Sequence, residues 1–362
     1  MPGRRDPWLD NAKAVLIVVV VVGHAIVLMP SGPLKSQAYD FIYYFHMPAF
    51  VLVTGYLSRS FRWTRRHLWS LVTTLVVPYL VFELLMALWR VHVVEQVDSL
   101  DVLSPLWLNP HWPMWYLVVL VMWRLATPVL GRHPVMVPLS VAVSLLAGTV
   151  DVELFDINRA LGLLPFFVIG LHLPRGVLQA AKARGSGLAG LVVLGGLWWL
   201  AERTDDHWST QWLYYRASYD SLDATLAGGM EIRAQLIVLA LLGTFAVLTL
   251  VPRRTSPLTQ VGTYTMGVYL LHGFVIRLAE HEGYADAMPG DGWASLLITV
   301  AAAVALAMLL GWRPVATKAL WLVDPVNTAG GWLRRRADAR RERSTDAPPS
   351  ATLEPHGRGP RR

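Results

Sequence analysis

DNAKAVLIVVVVVGHAIVLMPSGPLKSQAYDFIYYFHMPAFVLVTGY, running from Asp10 to Tyr56, decides the fold. It holds two long apolar runs, interrupted by His24 in the first and His46 in the second. An ionisable ring is costly in hydrocarbon, so a span that carries one marks a functional candidate. Lys13 stands eleven positions before His24. At about 1.5 Å of rise per residue, ammonium and imidazole lie ~16 Å apart along a helix, one near a membrane surface and the other held deep.

The rest of the chain agrees with a membrane setting. Its 362 residues are 54% hydrophobic and 16% charged, with mean hydropathy +0.42, against about 45–50% apolar and roughly 25% charged for soluble domains. Arg4 and Arg5 precede the first run, but no small-residue cleavage pattern follows it, so the first helix is expected to stay in the mature protein. The absence of cysteine excludes disulfides, thiolate metal ligands and a cysteine nucleophile. A net charge of +7 sits largely in the tail and short loops. That distribution is a topology signal and not a nucleic-acid surface.

Apolar runs predict an all-α bundle of about ten spans, near 11–29, 41–57, 68–89, 114–130, 134–150, 160–173, 188–201, 235–251, 258–278 and 293–312. Loop charge tests that count, since Lys and Arg collect in alternate, cytoplasmic loops. Arg4, Arg5 and Lys13, the cluster Arg59, Arg62, Arg65 and Arg66, then Arg132, Arg175, Lys182, Arg184, Arg253 and Arg254 all fall on one side. Glu95, Asp98, Asp101, Asp151, Glu153, Asp156, Glu202, Asp205, Asp206, Glu282 and Asp286 fall on the other. Both termini are therefore expected in the cytoplasm. The segment from Glu202 to Arg233 carries Trp208, Trp212, Tyr214, Tyr215 and Tyr219 and reads as an interfacial aromatic belt, with a sugar-stacking surface as the alternative. Residues 320–362 read as a basic, disordered cytoplasmic tail near anionic lipid, following a membrane domain over 1–319.

Depth singles out further residues. His24, His46, Glu83 and His272 each stand five or six positions from the outer end of their expected spans, about 7–9 Å inside the boundary. A shared level suggests one polar cavity. Histidine suits acyl transfer to a hydroxyl because it accepts and returns a proton near neutrality, and a carboxylate such as Glu83 can orient the ring. Three histidines and a glutamate are also zinc-ligand types, but no paired spacing such as His-x-x-x-His supports a metal, and none is expected.

Four features in order resemble the integral-membrane acyltransferase-3 family, and especially its branch related to fucose 4-O-acetylase. They are Trp8-Leu9-Asp10 with Lys13 and His24 ten intervening residues on; Phe45-His46-Met47-Pro48 leading to Gly55-Tyr56; the basic run Arg59 to Arg66 ahead of Pro78-Tyr79; and Tyr269-Leu270-Leu271-His272. Thr54 replaces the family's serine, and Ala14 its glycine. The resemblance implies a plasma-membrane O-acyltransferase, an O-acetyltransferase in the first instance, that moves an acyl group from acyl-CoA to a carbohydrate or glycoconjugate hydroxyl. It makes His24 the catalytic base, with His46 and His272 beside it, and puts Lys13, Arg62, Arg65 and Arg66 on the donor phosphates. Trp115-Tyr116, matching the family's Trp-Tyr/Phe-Leu segment, is a candidate acceptor wall or an interfacial anchor. The competing reading is a proton-coupled transporter or flippase, with the buried histidines and Glu83 as a proton relay. No internal repeat supports an inverted-repeat transporter.

Overall fold

The computed structural model describes residues 6–99, 107–152, 154–183 and 185–345, of which 339–345 are backbone only. Arg4, Arg5, Asp101, Glu153 and Arg184, which enter the charge pattern, lie outside the described residues, as does the chain from 346 onward. Every regular element among the described residues is helical, and no strand occurs.

At the centre stands the helix Pro7–Ile26. Asp6 caps it by accepting the Trp8 N–H at 3.0 Å, and Pro7 fills the first turn, where its missing N–H is no loss. A helix that is apolar all round belongs in an interior. This one packs on His46–Ser58, Pro257–Thr263, Thr265–His281 and Trp293–Leu310, with Leu16, Ile17 and Val21 fully buried. The outer helices do the opposite. Leu188, Leu191, Val192 and Leu297 are 72%, 58%, 68% and 64% exposed, a lipid-facing shell that a water-soluble protein would not tolerate. The chain is an integral membrane protein.

All ten stretches expected to span are helical, but the count of ten is not reached. Among the described residues five helices are long and apolar enough to cross a membrane: Pro7–Ile26, Pro33–Ser58, Arg65–His92, Leu226–Leu250 and Trp293–Leu310. Counting each of two bent pairs as one span gives seven. Trp115–Leu130 and Met136–Thr149 are apolar but shorter, and the ninth stretch divides at Tyr264 into Pro257–Thr263 and Thr265–His281. Hydropathy registers apolar length and not the breaks, which a bundle tolerates where protein covers the freed backbone groups. The second span is itself interrupted at Tyr44 and Phe45, so His46 opens its inner half. In Arg65–His92 a wide turn at Val72–Val76 precedes Pro78, relieving the clash a proline ring makes with the preceding turn.

Two glycines set one close crossing. A Cβ on Gly55 would come within 2.1 Å of the Phe167 carbonyl oxygen, and one on Gly170 within 2.1 Å of that of Leu52. Helices His46–Ser58 and Leu164–His172 thus meet backbone to backbone, as small residues permit in membranes.

The basic loops gather at one end of the bundle. Lys182 pairs with Asp6 at 2.7 Å and lies over the Trp8 ring. Asn11 donates to the carbonyls of Pro252 and Arg254, both at 2.8 Å, and Arg253 donates to that of Ala183. Of the expected disordered tail, residues 320–345 are helical, in Arg313–Val323 and Pro325–Thr345, and the remainder lies outside the described residues. Alanine and arginine are strong helix formers, and Pro325 stands at a tolerated first position.

Candidate active site

His24 lies in the last turn of Pro7–Ile26, and His272 in the middle of Thr265–His281. Their rings are buried, with Nδ1 of His24 2.8 Å from Nε2 of His272. The direction of this bond follows from its neighbours. Nδ1 of His272 faces the carbonyl oxygens of Tyr269 at 2.7 Å and Val268 at 3.1 Å. Carbonyls only accept, so Nδ1 carries the hydrogen and Nε2 of the neutral ring is the acceptor. His24 therefore donates from Nδ1, and its own Nε2 is the basic nitrogen. A third group that fixes the tautomer of a base is the logic of hydrolytic triads, here with an imidazole where a carboxylate is usual. Trp112 packs beside the His24 ring, centroids 4.4 Å apart and planes tilted by 60°, and the Arg277 guanidinium lies over the same indole at 5.1 Å.

His24 opens into a cavity of about 210 Å³, whose lining includes Trp112, Trp115, Tyr43 and His46. Toward the basic end lies a second cavity of about 380 Å³, with Lys13 and Arg124 among its lining. Phe50, Tyr116 and Tyr269 line both and form the wall between them. Hydrogen bonds hold that wall. The Tyr116 hydroxyl bonds Thr54 Oγ1 at 2.6 Å, Thr54 donates to the Phe50 carbonyl at 2.9 Å, and Tyr269 donates to that of Pro113 at 2.6 Å. The Thr54 hydroxyl does here what a serine hydroxyl would.

The residues singled out by sequence divide into groups. His24 and His272 touch, and His46 lines the same cavity, its Nδ1 3.0 Å from the Ile42 carbonyl. Glu83 does not orient His24. Its Oε1 accepts from both the backbone N–H and the ring Nδ1 of His111, and Oε2 has no hydrogen-bond partner. Depth along the bundle had suggested a histidine from another span as the partner, but a loop histidine reaches the carboxylate first. Glu83 thereby fixes the residue before Trp112, whose ring packs beside His24. Lys13 lines the inner cavity and pairs with Asp10 at 2.8 Å. Arg62 lines a third cavity, of about 520 Å³, with Arg59 and Arg132, while Arg65 and Arg66 are exposed at a helix start and line none of the three. Trp115 lines the outer cavity alone, and Tyr116 the shared wall. Of the aromatic residues in the segment 202–233, Tyr214 reaches the cavity, whereas Trp212, Tyr215 and Tyr219 are buried in packing. Tyr219 is held there by a hydroxyl bond to the Leu145 carbonyl at 2.6 Å.

Sequence reasoning passed over His111, Trp112, Arg124, Arg159 and Arg216. A usable signal existed for the first two, since Pro110-His111-Trp112-Pro113 places an imidazole and an indole between prolines at a span entrance. The arginines lay in or beside stretches read for hydropathy alone. Among the described residues no three His, Asp or Glu side chains converge to hold a metal ion.

The model of the acyltransferase-3 family, described as an acyltransferase domain, matches residues 6–312. No curated protein and no solved structure matches the chain.

Proposed function

We propose, because the chain belongs to the acyltransferase-3 family, that this membrane acyltransferase moves an acyl group from acyl-CoA to a carbohydrate or glycoconjugate hydroxyl. Acetyl-CoA is the first donor to try, and the carbohydrate acceptor follows from the resemblance to the fucose 4-O-acetylase branch. The observation that carries the reading is the His24–His272 contact, which leaves a basic Nε2 on His24 beside a cavity.

In the proposed reaction His24 Nε2 takes the acceptor hydroxyl proton as the oxygen attacks the thioester carbonyl. The new C–O bond forms, the C–S bond breaks, and the thiolate of CoA receives the proton back from His24. His272 steadies the imidazolium by accepting from its Nδ1, with the Trp112 ring packed beside it. The donor enters from the basic end, with its phosphates near Lys13 and Arg124 and its pantetheine arm in the inner cavity, so that the thioester meets His24 at the wall of Phe50, Tyr116 and Tyr269. Both termini face the cytoplasm of a plasma membrane in this reading, and the acceptor comes from the opposite side.

Mass spectrometry of cell-envelope glycans and small glycosides tests it, comparing cells with the gene, without it, and with His24→Ala. The expected result is an acyl mass increment present in the first alone. A transporter or flippase would shift the distribution of glycans across the membrane and leave their masses unchanged.

A further inference from the structure

Among the described residues the outer cavity has no carboxylate in its lining, and its two charged residues there are both arginines, Arg159 and Arg216. Arg159 belongs to the short helix Ile157–Gly162, and Arg216 follows the turn Thr210–Tyr214. The Arg159 side chain is 11% exposed and lies over the Trp115 ring at 4.2 Å. Its Nη1 donates to Asp156 at 2.9 Å, behind the cavity lining. Among the described residues that is its one hydrogen bond, so Nε and Nη2 have donors without a protein acceptor. A guanidinium carries five N–H donors in a fixed plane, and neither of these nitrogens is sealed in the protein interior, so both keep access to the cavity that Arg159 lines. Arg216 is exposed and sits 5.7 Å from the Tyr214 ring, with no ion pair among the described residues. Arg216 alone would be an ordinary solvated charge. Beside the part-buried Arg159, whose remaining donors face the cavity, it gives two like charges against one carboxylate, and an anion between them would relieve their repulsion.

Resting on the acyl-transfer reading above, we infer that the acceptor is an acidic sugar, its carboxylate or phosphate held by Arg159 and Arg216 while a hydroxyl is presented to His24. Planar guanidinium forks match both kinds of oxyanion in two-point contacts. A cavity of about 210 Å³ has room for roughly seven waters at ~30 Å³ each, the scale of one sugar ring. The flanking faces of Tyr43, Trp112 and Trp115 suit the apolar side of that ring. The anion also fixes the ring's orientation, so one hydroxyl in preference to its neighbours meets Nε2.

The test is calorimetric titration of the purified full-length protein, without acyl-CoA, using methyl glucoside, its uronate and its 6-phosphate. Both acids should bind at least about tenfold more tightly than the neutral glycoside, with the advantage shrinking as salt rises. The stronger of the two acids identifies the source of the charge. Arg216→Gln, at an exposed position where folding is not at issue, should bring the ratio of acidic to neutral affinity close to one, and Arg159→Gln should do the same in whatever fraction folds. Equal affinities in the unaltered protein, no binding by any of the three, or an acid preference that survives Arg216→Gln would overturn the inference. Acid-selective binding in a protein that transfers no acyl group would instead retire the acyl-transfer reading and leave the anion site standing.

Discussion

The two cavities differ in size, lining and charge, as a division between acceptor and donor would require. The outer one is the smaller, walled by aromatic rings, with His24, His46 and two arginines. The inner one is nearly twice its size, with Lys13 and Arg124 as its cations and apolar residues from several helices between them. An acyl chain and pantetheine arm need a long, largely apolar slot with cations for phosphates at its mouth. A sugar needs polar groups and flat faces in a small space. Because Lys13 and His24 stand on one rigid helix, ~16 Å apart along its axis, a single element sets the register between the two. The wall of Phe50, Tyr116 and Tyr269 is the place where the contents of both would meet.

If the division is real, substitutions on the two sides should separate turnover from donor binding. The largest effect belongs to the outer cavity. His24→Ala should lower turnover by about 10²–10⁴-fold, the usual cost of a lost general base, with acyl-CoA binding little changed. His272→Ala should cost roughly 10²-fold per folded molecule, and the double variant should be no worse than His24→Ala, since groups acting as a unit are not additive. Multiplicative losses would break the tautomer argument. On the inner side, Lys13→Gln should raise the KM for acyl-CoA about tenfold, the scale of one charged hydrogen bond, with the acceptor KM unmoved. A change confined to the acceptor would reverse the assignment of the cavities. Smallest of all, Arg65→Gln with Arg66→Gln should shift the donor KM by no more than about twofold, and less in high salt, because exposed charges contribute under about 1 kcal/mol.

Much of this was legible before any coordinates. Apolar length gave the helical class, alternating loop charge gave an end where Lys182, Asn11 and Arg253 do meet their partners, and counting from span ends put His24 level with His272. The same count misassigned Glu83, for a physical reason. Position along a span gives height in the bundle but not the direction in which a side chain points around its helix, and Glu83 points at the loop carrying His111. Arg159 was hidden because its helix is short and its ion pair with Asp156 looks like any i,i+3 contact. What distinguishes it is the cavity beside it, assembled from distant parts of the chain.

The most direct measurement of the two-sided account uses proteoliposomes in which the protein has one known orientation. Radiolabelled acetyl-CoA is supplied at the face bearing Lys13, and envelope glycans from cells lacking the gene are supplied at the face bearing the outer cavity. Label should pass to glycan across the sealed membrane, and it should fail to pass when both reactants are confined to either single face. Equal labelling with donor and acceptor on the same face would contradict the account.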